Sequence, residues 1–190
     1  MTLTKSPGVA LRMRANSVRG PAGWVATSAV RVVQPCQPPV EEIGKAASTG
    51  PLDLFEARER LDGHREALRG TGRRSIVALG DFTRASGAEA MRQLLEDDPA
   101  LDAVFASDDL MAIGALRTLR RAGRRVPEDV AVVGFDDIEA AAYTAPALTS
   151  VRSPVADQAI ATVRLLLGLV EGGPGEPVVV PNELVVRESS

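Results

Sequence analysis

The sequence predicts an α/β fold in which a parallel sheet is sandwiched between helices. From Gly50 onward, short apolar runs alternate with segments whose apolar residues recur every three or four positions, the pattern of strand–helix–strand units. The helical segments run roughly 10–15 residues, the length that carries a chain from one parallel strand to the next. Composition agrees: 45% apolar and 25% charged residues is ordinary globular usage.

Leu54, Ala57, Leu61, His64 and Leu68 mark one face of a first helix, stopped by Gly70 or Gly72. Ser75–Leu79 reads as a short strand ending in Gly80-Asp81. A second helix, from about Ser86 to Glu96, turns Ala90, Met91, Leu94 and Leu95 inward, with Pro99 beyond it. Ala103–Ala106 is the next strand. Ser107-Asp108-Asp109 opens a helix with the apolar stripe Leu110, Ile113, Leu116 and Leu119, closed by Gly123. Val130–Val133 is a third strand. A short helical piece and Pro146 lead to a fourth at Leu148–Val151. Pro154 starts a long helix carrying Ala156, Ala159, Ile160, Val163, Leu166, Leu167 and Val170, broken by the Gly-Gly-Pro-Gly run at 172–175. Val178–Val180 and Leu184–Val186 close the chain as strands.

Residues 1–50 are different. Proline and glycine recur there and no period persists, which predicts an irregular or partly disordered leader over residues 1–47 and a structured domain from 48 to 190. The run Trp24–Val33 is a weak strand candidate. Arg12, Arg14 and Arg19 resemble the basic start of a secretory signal, but Pro21, Gly23, Thr27 and Ser28 spoil the apolar run that should follow. With Cys36 as the single cysteine, the expectation is a cytoplasmic protein. No apolar stretch approaches the roughly 20 residues of a membrane span, so no membrane partner is expected.

One cysteine excludes an intramolecular disulfide and a multi-cysteine zinc site. One histidine, His64, excludes a His-rich metal cluster and most histidine-relayed catalysis. Residues 1–40 hold the basic residues Lys5, Arg12, Arg14, Arg19 and Arg31 and no acid, whereas residues 41–190 hold 17 basic and 25 acidic residues. A nucleic-acid stripe does not fit so acidic a body. No glycine-rich loop that would cradle a nucleotide phosphate follows any strand, so no cofactor is expected.

Ligands of open α/β sheets bind beyond the carboxyl ends of the strands. Those ends here are Gly80-Asp81-Phe82, Ser107-Asp108-Asp109 and Gly134-Phe135-Asp136-Asp137, all acidic. Converging carboxylates such as Asp108 and Asp136 can hold Mg²⁺ or Ca²⁺. Equally, an acid, an arginine and an aromatic side chain make a polyol site, with Asp108, Asp136, Arg60 and Phe82 as candidates. The plain alternative for each single Asp is capping of the helix that follows it.

The segments Ala106–Leu116, Gly123–Ile138 and Pro146–Arg152 resemble the effector-binding core of the LacI/GalR family of bacterial transcriptional repressors. The run from Val126-Pro127-Glu128-Asp129-Val130 to Gly134-Phe135-Asp136-Asp137 is the most specific part. Gly50–Asp53, Arg58–Gly63, Gly80–Thr83 and Leu184–Ser189 add matches in the same order. The resemblance covers about residues 48–190 and implies a periplasmic-binding-protein-like sandwich, with one lobe (48–153) largely intact and the other mostly missing. Residues 154–190 would cross toward that second lobe. It implies Arg60 as a sugar-contacting arginine, Phe82 as a ring-stacking aromatic, Asp108 as a polar ligand contact, Asp136 as the hydroxyl-binding acid and Ser153 as a contact near the hinge. Asp109 and Asp137 are expected to be structural.

A sugar or small-polyol effector is therefore the expected partner, in a homo-oligomer formed through the core lobe, with the helix of Ile113 as a candidate interface. The leader shows no helix-turn-helix, so DNA contact is expected only through a module absent from this chain, and a truncated sensor that does not bind DNA alone is the reading. A stand-alone sugar-binding protein of the same fold is the alternative; an enzyme ranks below both.

Overall fold

The computed structural model describes residues 18–19, 25–26, 45–175 and 178–190. Two short strands, β1 (Val18–Arg19) and β2 (Val25–Ala26), pair antiparallel. Apart from these and residues 45–47, the expected leader, including most of the Trp24–Val33 run and Cys36, lies outside the described residues.

The main body is a six-stranded sheet in the order β4-β3-β5-β6-β7-β8. Its strands are β3 (Lys45–Thr49), β4 (Ser75–Leu79), β5 (Ala103–Ala106), β6 (Ala131–Asp136), β7 (Thr149–Arg152) and β8 (Glu183–Val185). The first five run parallel, and β8 closes the edge antiparallel to β7. The connecting helices are α1 (Phe55–Leu68), α2 (Arg84–Asp97) and α3 (Asp109–Arg121), and α4 (Val155–Val170) follows β7. No helix among the described residues is long and apolar enough to cross a membrane.

Strand β3 has no counterpart in the sequence-based reading, although it lies between β4 and β5 with Ala46, Ala47, Ser48 and Thr49 all buried. Its sequence, Lys-Ala-Ala-Ser-Thr, contains no large apolar residue, so the hydrophobic pattern that reveals strands is silent there. The strand straddles the boundary expected at residues 47 and 48. Small side chains suit its place, because helices cover both faces of the sheet at this point.

Helices α2 and α3 cover one face. Ala46, Ala78, Val104, Ala106 and Val132 from the sheet pack with Ala90, Met91, Leu94, Met111, Ala112, Ala115 and Leu119 from the helices. The two helices meet backbone to backbone. A Cβ on Gly87 would stand 2.2 Å from the Met111 carbonyl oxygen, and one on Gly114 would stand 2.2 Å from that of Arg84. This approach rotates α3 from its expected orientation: Met111, Ala112, Gly114, Ala115, Leu116 and Leu119 are buried, while Leu110 and Ile113 lie half-buried on the flank. Close contact selects small residues, and the largest side chains are displaced to the side. Helix α1 covers β3 and β4 on the opposite face with Ala57 and Leu61, and Thr49 Oγ1 donates to the Ala57 carbonyl at 3.4 Å.

Helix α4 matches the expected long helix but buries none of its residues, and Ile160, Val163, Leu166, Leu167 and Val170 are exposed. Val178–Val180 forms no strand; Val178 and Val179 are exposed, and the pairing resumes only at β8.

The chain then returns to the core. The fully buried Ser189 sits between β6 and β7. Its Oγ accepts the Thr149 N–H at 2.8 Å and donates to the Val132 carbonyl at 2.6 Å, and its carbonyl accepts the Val132 N–H at 2.8 Å. Replacing Ser189 by Ala strips a buried N–H of its acceptor, so the urea midpoint should fall by the equivalent of about 1–3 kcal/mol at an unchanged slope. Ser190→Ala, at an exposed neighbour, should cost less.

Candidate functional site

The chain runs from β3 outward to β4 and then back across β3 to β5, so the strand order reverses at β3. At such a point the connections leave toward opposite faces and open a crevice at the carboxyl ends of the strands. Helices α1, α2 and α3 all begin on this edge, because each follows its strand directly.

Arg60 reaches the crevice from the middle of α1. One guanidinium nitrogen, Nη1, donates to the Ser107 carbonyl at 2.5 Å, and the other, Nη2, to Asp136 Oδ1 at 3.4 Å. The guanidinium carbon lies 3.8 Å above the centre of the Phe135 ring, a cation–π contact. Three elements therefore fix one cation: the end of β5, the end of β6 and an aromatic face.

Asp108 is the N-cap of α3, and its Oδ1 accepts the Met111 N–H at 2.8 Å. Burial pushes its carboxyl up to about 6, and the charges of Asp136 and Asp109 add to that rise, while the Met111 N–H and Arg60 oppose it. Asp109 is also raised to about 6 by burial, against its hydrogen bonds from Ser150 Oγ (2.6 Å) and the Ile138 N–H (2.8 Å). Burial raises Asp136 as well, opposed by Arg60. Among the described residues, the non-glycine residues with positive φ are Phe82 (64°), Asp136 (99°) and Asp137 (55°), all at these strand tips. Left-handed backbone at such residues is held only where the surroundings impose it, and it clusters at ligand sites.

Arg60, Asp108 and Asp136 come together at the tips of β5 and β6. Phe82 lies at the other side of the switch point, its ring against Gly50 at the end of β3; a Cβ there would stand 2.1 Å from Cζ. Ser153 follows β7, beside Asp136. Its N–H approaches the Asp136 carbonyl at 3.5 Å and its Oγ accepts from Gln158 Nε2 at 3.4 Å, so the hydroxyl is directed to the start of α4. Asp137 is almost fully enclosed between Arg152 (2.8 Å) and Arg187 (2.7 Å). Phe135 and the Ser107 carbonyl were not among the expected site groups. An aromatic directly before an acidic tip is a usable signal for the first; a main-chain oxygen leaves none. His64, one turn beyond Arg60, is half-buried with its ring charge disfavoured: burial, and then Arg65, lower it to about 4. Among the described residues, no group of three His, Cys, Asp or Glu side chains is placed to hold a metal ion.

A doubly wound α/β lobe with an arginine, carboxylates and aromatic faces at its switch point has the arrangement in which open α/β sheets hold ligands. The chain belongs to the family of periplasmic binding protein-like domains, whose model matches residues 40–190. The HTH-type transcriptional regulator CelR of Thermobifida fusca is 48% identical over 149 residues, which is 76% of this chain and 44% of CelR. AscG of Escherichia coli is 40% identical over 145 residues, 75% of this chain and 43% of AscG. The fold superposes on a CelR–cellobiose complex with a TM-score of 0.72, covering 77% of this chain and 46% of that one. It superposes on the lac repressor dimer bound to operator and the anti-inducer ONPF with a TM-score of 0.74 at 31% identity, covering 77% and 52%. The relatives are LacI-type regulators, as the resemblance implies, and the chain spans less than half the length of CelR and AscG.

The titrations have opposite signs. Asp108 and Asp109 take up protons in the folded state near pH 6 but in the unfolded chain only near 3.8, so they add stability as pH falls toward 4. His64 is protonated in the unfolded chain below 6.5 but in the folded protein only near 4, so it removes stability over the same window. Urea midpoints at about pH 7 and about pH 5 should therefore shift oppositely relative to the parent. His64→Leu gains toward the acid side, and Asp108→Asn loses whatever advantage it shows at neutral pH. A parallel shift of both variants contradicts the assignment.

Proposed function

We propose that this chain is the effector-binding sensor module of a LacI-type transcriptional repressor, with a sugar or small polyol as effector. The observation that carries the proposal is the Arg60–Asp136 pair held over Phe135 at the switch point. A carboxylate accepts hydrogen bonds from hydroxyls, a guanidinium donates to hydroxyl or ring oxygens, and an aromatic face covers the C–H side of a sugar ring. In this reading Arg60 and Asp136 grip vicinal oxygens, Asp108 accepts from a further hydroxyl, Phe82 lies against the ring and Ser153 lines the far edge. The CelR–cellobiose complex, 48% identical over the matched region, supports a saccharide ligand.

The module works in the cytoplasm by binding and performs no catalysis. An effector acts by its differential affinity for two arrangements of a regulator, and a DNA-binding module of the HTH type, named in CelR and AscG, follows that shift. Self-association uses the α2–α3 side of the lobe. There Ala85, Ala88, Ile113 and Leu116 line a groove rimmed by Arg84, Arg117 and Arg120, and the structural match to a lac repressor dimer supports self-association as such.

Calorimetric titration of the chain with cellobiose tests the site. Arg60→Ala and Asp136→Ala should each weaken binding about 10- to 100-fold, the equivalent of losing a hydrogen bond to a charged group. Equal affinity in both variants and the parent removes the crevice as the binding site.

A further inference from the structure

We propose that the crevice sorts ligands by charge: it takes neutral polyols and refuses sugar phosphates and sugar acids, and Asp108 enforces the refusal. This deepens, and rests on, the sugar-sensor reading above.

An anion entering an open α/β sheet needs a free cation or the free N–H groups of a helix start. Here the cation is engaged and two of the three helix starts are capped. The guanidinium of Arg60 spends both terminal nitrogens, on the Ser107 carbonyl and on Asp136, and its Nε, which has no partner, is buried. Each helix start on this edge carries its own carboxylates. Helix α1 has Asp53 just before it and Glu56 in its first turn. Before α2, Asp81 accepts from both the N–H and the hydroxyl of Thr83, whose own Oγ1 caps the Ser86 N–H. At α3, Asp108 takes the Met111 N–H, and Asp109 occupies the first turn. At α2 and α3 the seat that usually receives a phosphate is thus taken by a side chain of the chain itself, whereas α1 has no side-chain cap and only the nearby charges of Asp53 and Glu56 oppose an anion there.

The balance of charge points the same way. The charges of Asp108, Asp109 and Asp136 act on one another near the tips of β5 and β6, where Arg60 is bonded to Asp136 alone of the three, while Asp137 is matched separately by Arg152 and Arg187. A further negative charge would be added to an excess of like charge in a half-buried site, where screening is weak. A hydroxyl, in contrast, donates to these carboxylates at no such cost.

The acid at 108 is not required by the helix it caps. Asn and Ser cap helix starts about as well as Asp. The helix dipole favours a negative charge here only modestly, and burial works against it, so capping by itself does not demand an acid at this position.

The test is calorimetry of the full chain near neutral pH with glucose and glucuronate, which share a ring and differ by a fixed carboxylate, together with cellobiose and inorganic phosphate. The expected result is binding of glucose and cellobiose, glucuronate weaker by about tenfold or more, and no heat from phosphate. In Asp108→Asn and, as a second well-capped variant, Asp108→Ser, the glucose-to-glucuronate affinity ratio should fall about tenfold, with melting curves checking that both variants fold. Glucuronate or phosphate binding the parent as tightly as glucose, in an Arg60-dependent manner, overturns the charge filter and leaves the sensor reading standing. An unchanged ratio in both Asp108 variants removes Asp108 as its enforcer. Failure of every saccharide, neutral or charged, overturns the sensor reading and the filter with it.

Discussion

The arrangement of the crevice depends on one buried carboxylate. Asp109, in the first turn of α3, accepts from Ser150 of β7 and from the Ile138 N–H beyond the tip of β6. Ser150 in turn accepts the Asp137 N–H at 3.1 Å. A single side chain therefore ties a helix to two strand ends. The contact leaves no room for anything else: a Cβ on Gly134 would stand 2.2 Å from Asp109 Oδ1. Burying an acid is costly unless its oxygens are matched, and both oxygens here have partners. The position of Asp108 on one side of this knot and of Asp136 on the other follows from it.

Arg60 shows how a long cationic side chain is made into a rigid one. Its rotamer freedom is removed by a ring below and two acceptors ahead, so little ordering remains to be done when oxygens approach. The left-handed backbone at Phe82, Asp136 and Asp137 belongs to the same economy. The tips are forced into uncommon conformations, and the sheet and helices behind them supply the restraint.

The parts of this fold that bury large residues with a clear period are legible in the sequence. Helices α1 and α2, strands β4 and β5, and the acidic tips fall within a residue or two of where the apolar spacing puts them. The failures share a cause. Strand β3 and the buried face of α3 are built from Ala, Gly, Ser and Thr, whose role is to allow close approach, and a hydrophobic pattern records bulk. The run Val178–Val180 fails in the reverse sense: three β-branched residues in a row have strand propensity, yet no strand takes them as a partner. In the site, the side chains bearing charge could be picked out one by one. Their joining to the Ser107 carbonyl and the Phe135 ring depends on register between β5 and β6, which only the folded sheet sets.

The Ser189 staple has a consequence for how such a lobe can be exchanged between proteins. Its partner carbonyl at Val132 is 57 residues away, and α4 and β8 lie in the intervening chain. The lobe is thus one unit in space but two pieces in sequence. A graft that moved residues 45–153 alone would carry β6 and β7 without the serine that joins them. Recombination between relatives must therefore transfer both pieces together, or find an equally good serine already waiting in the recipient.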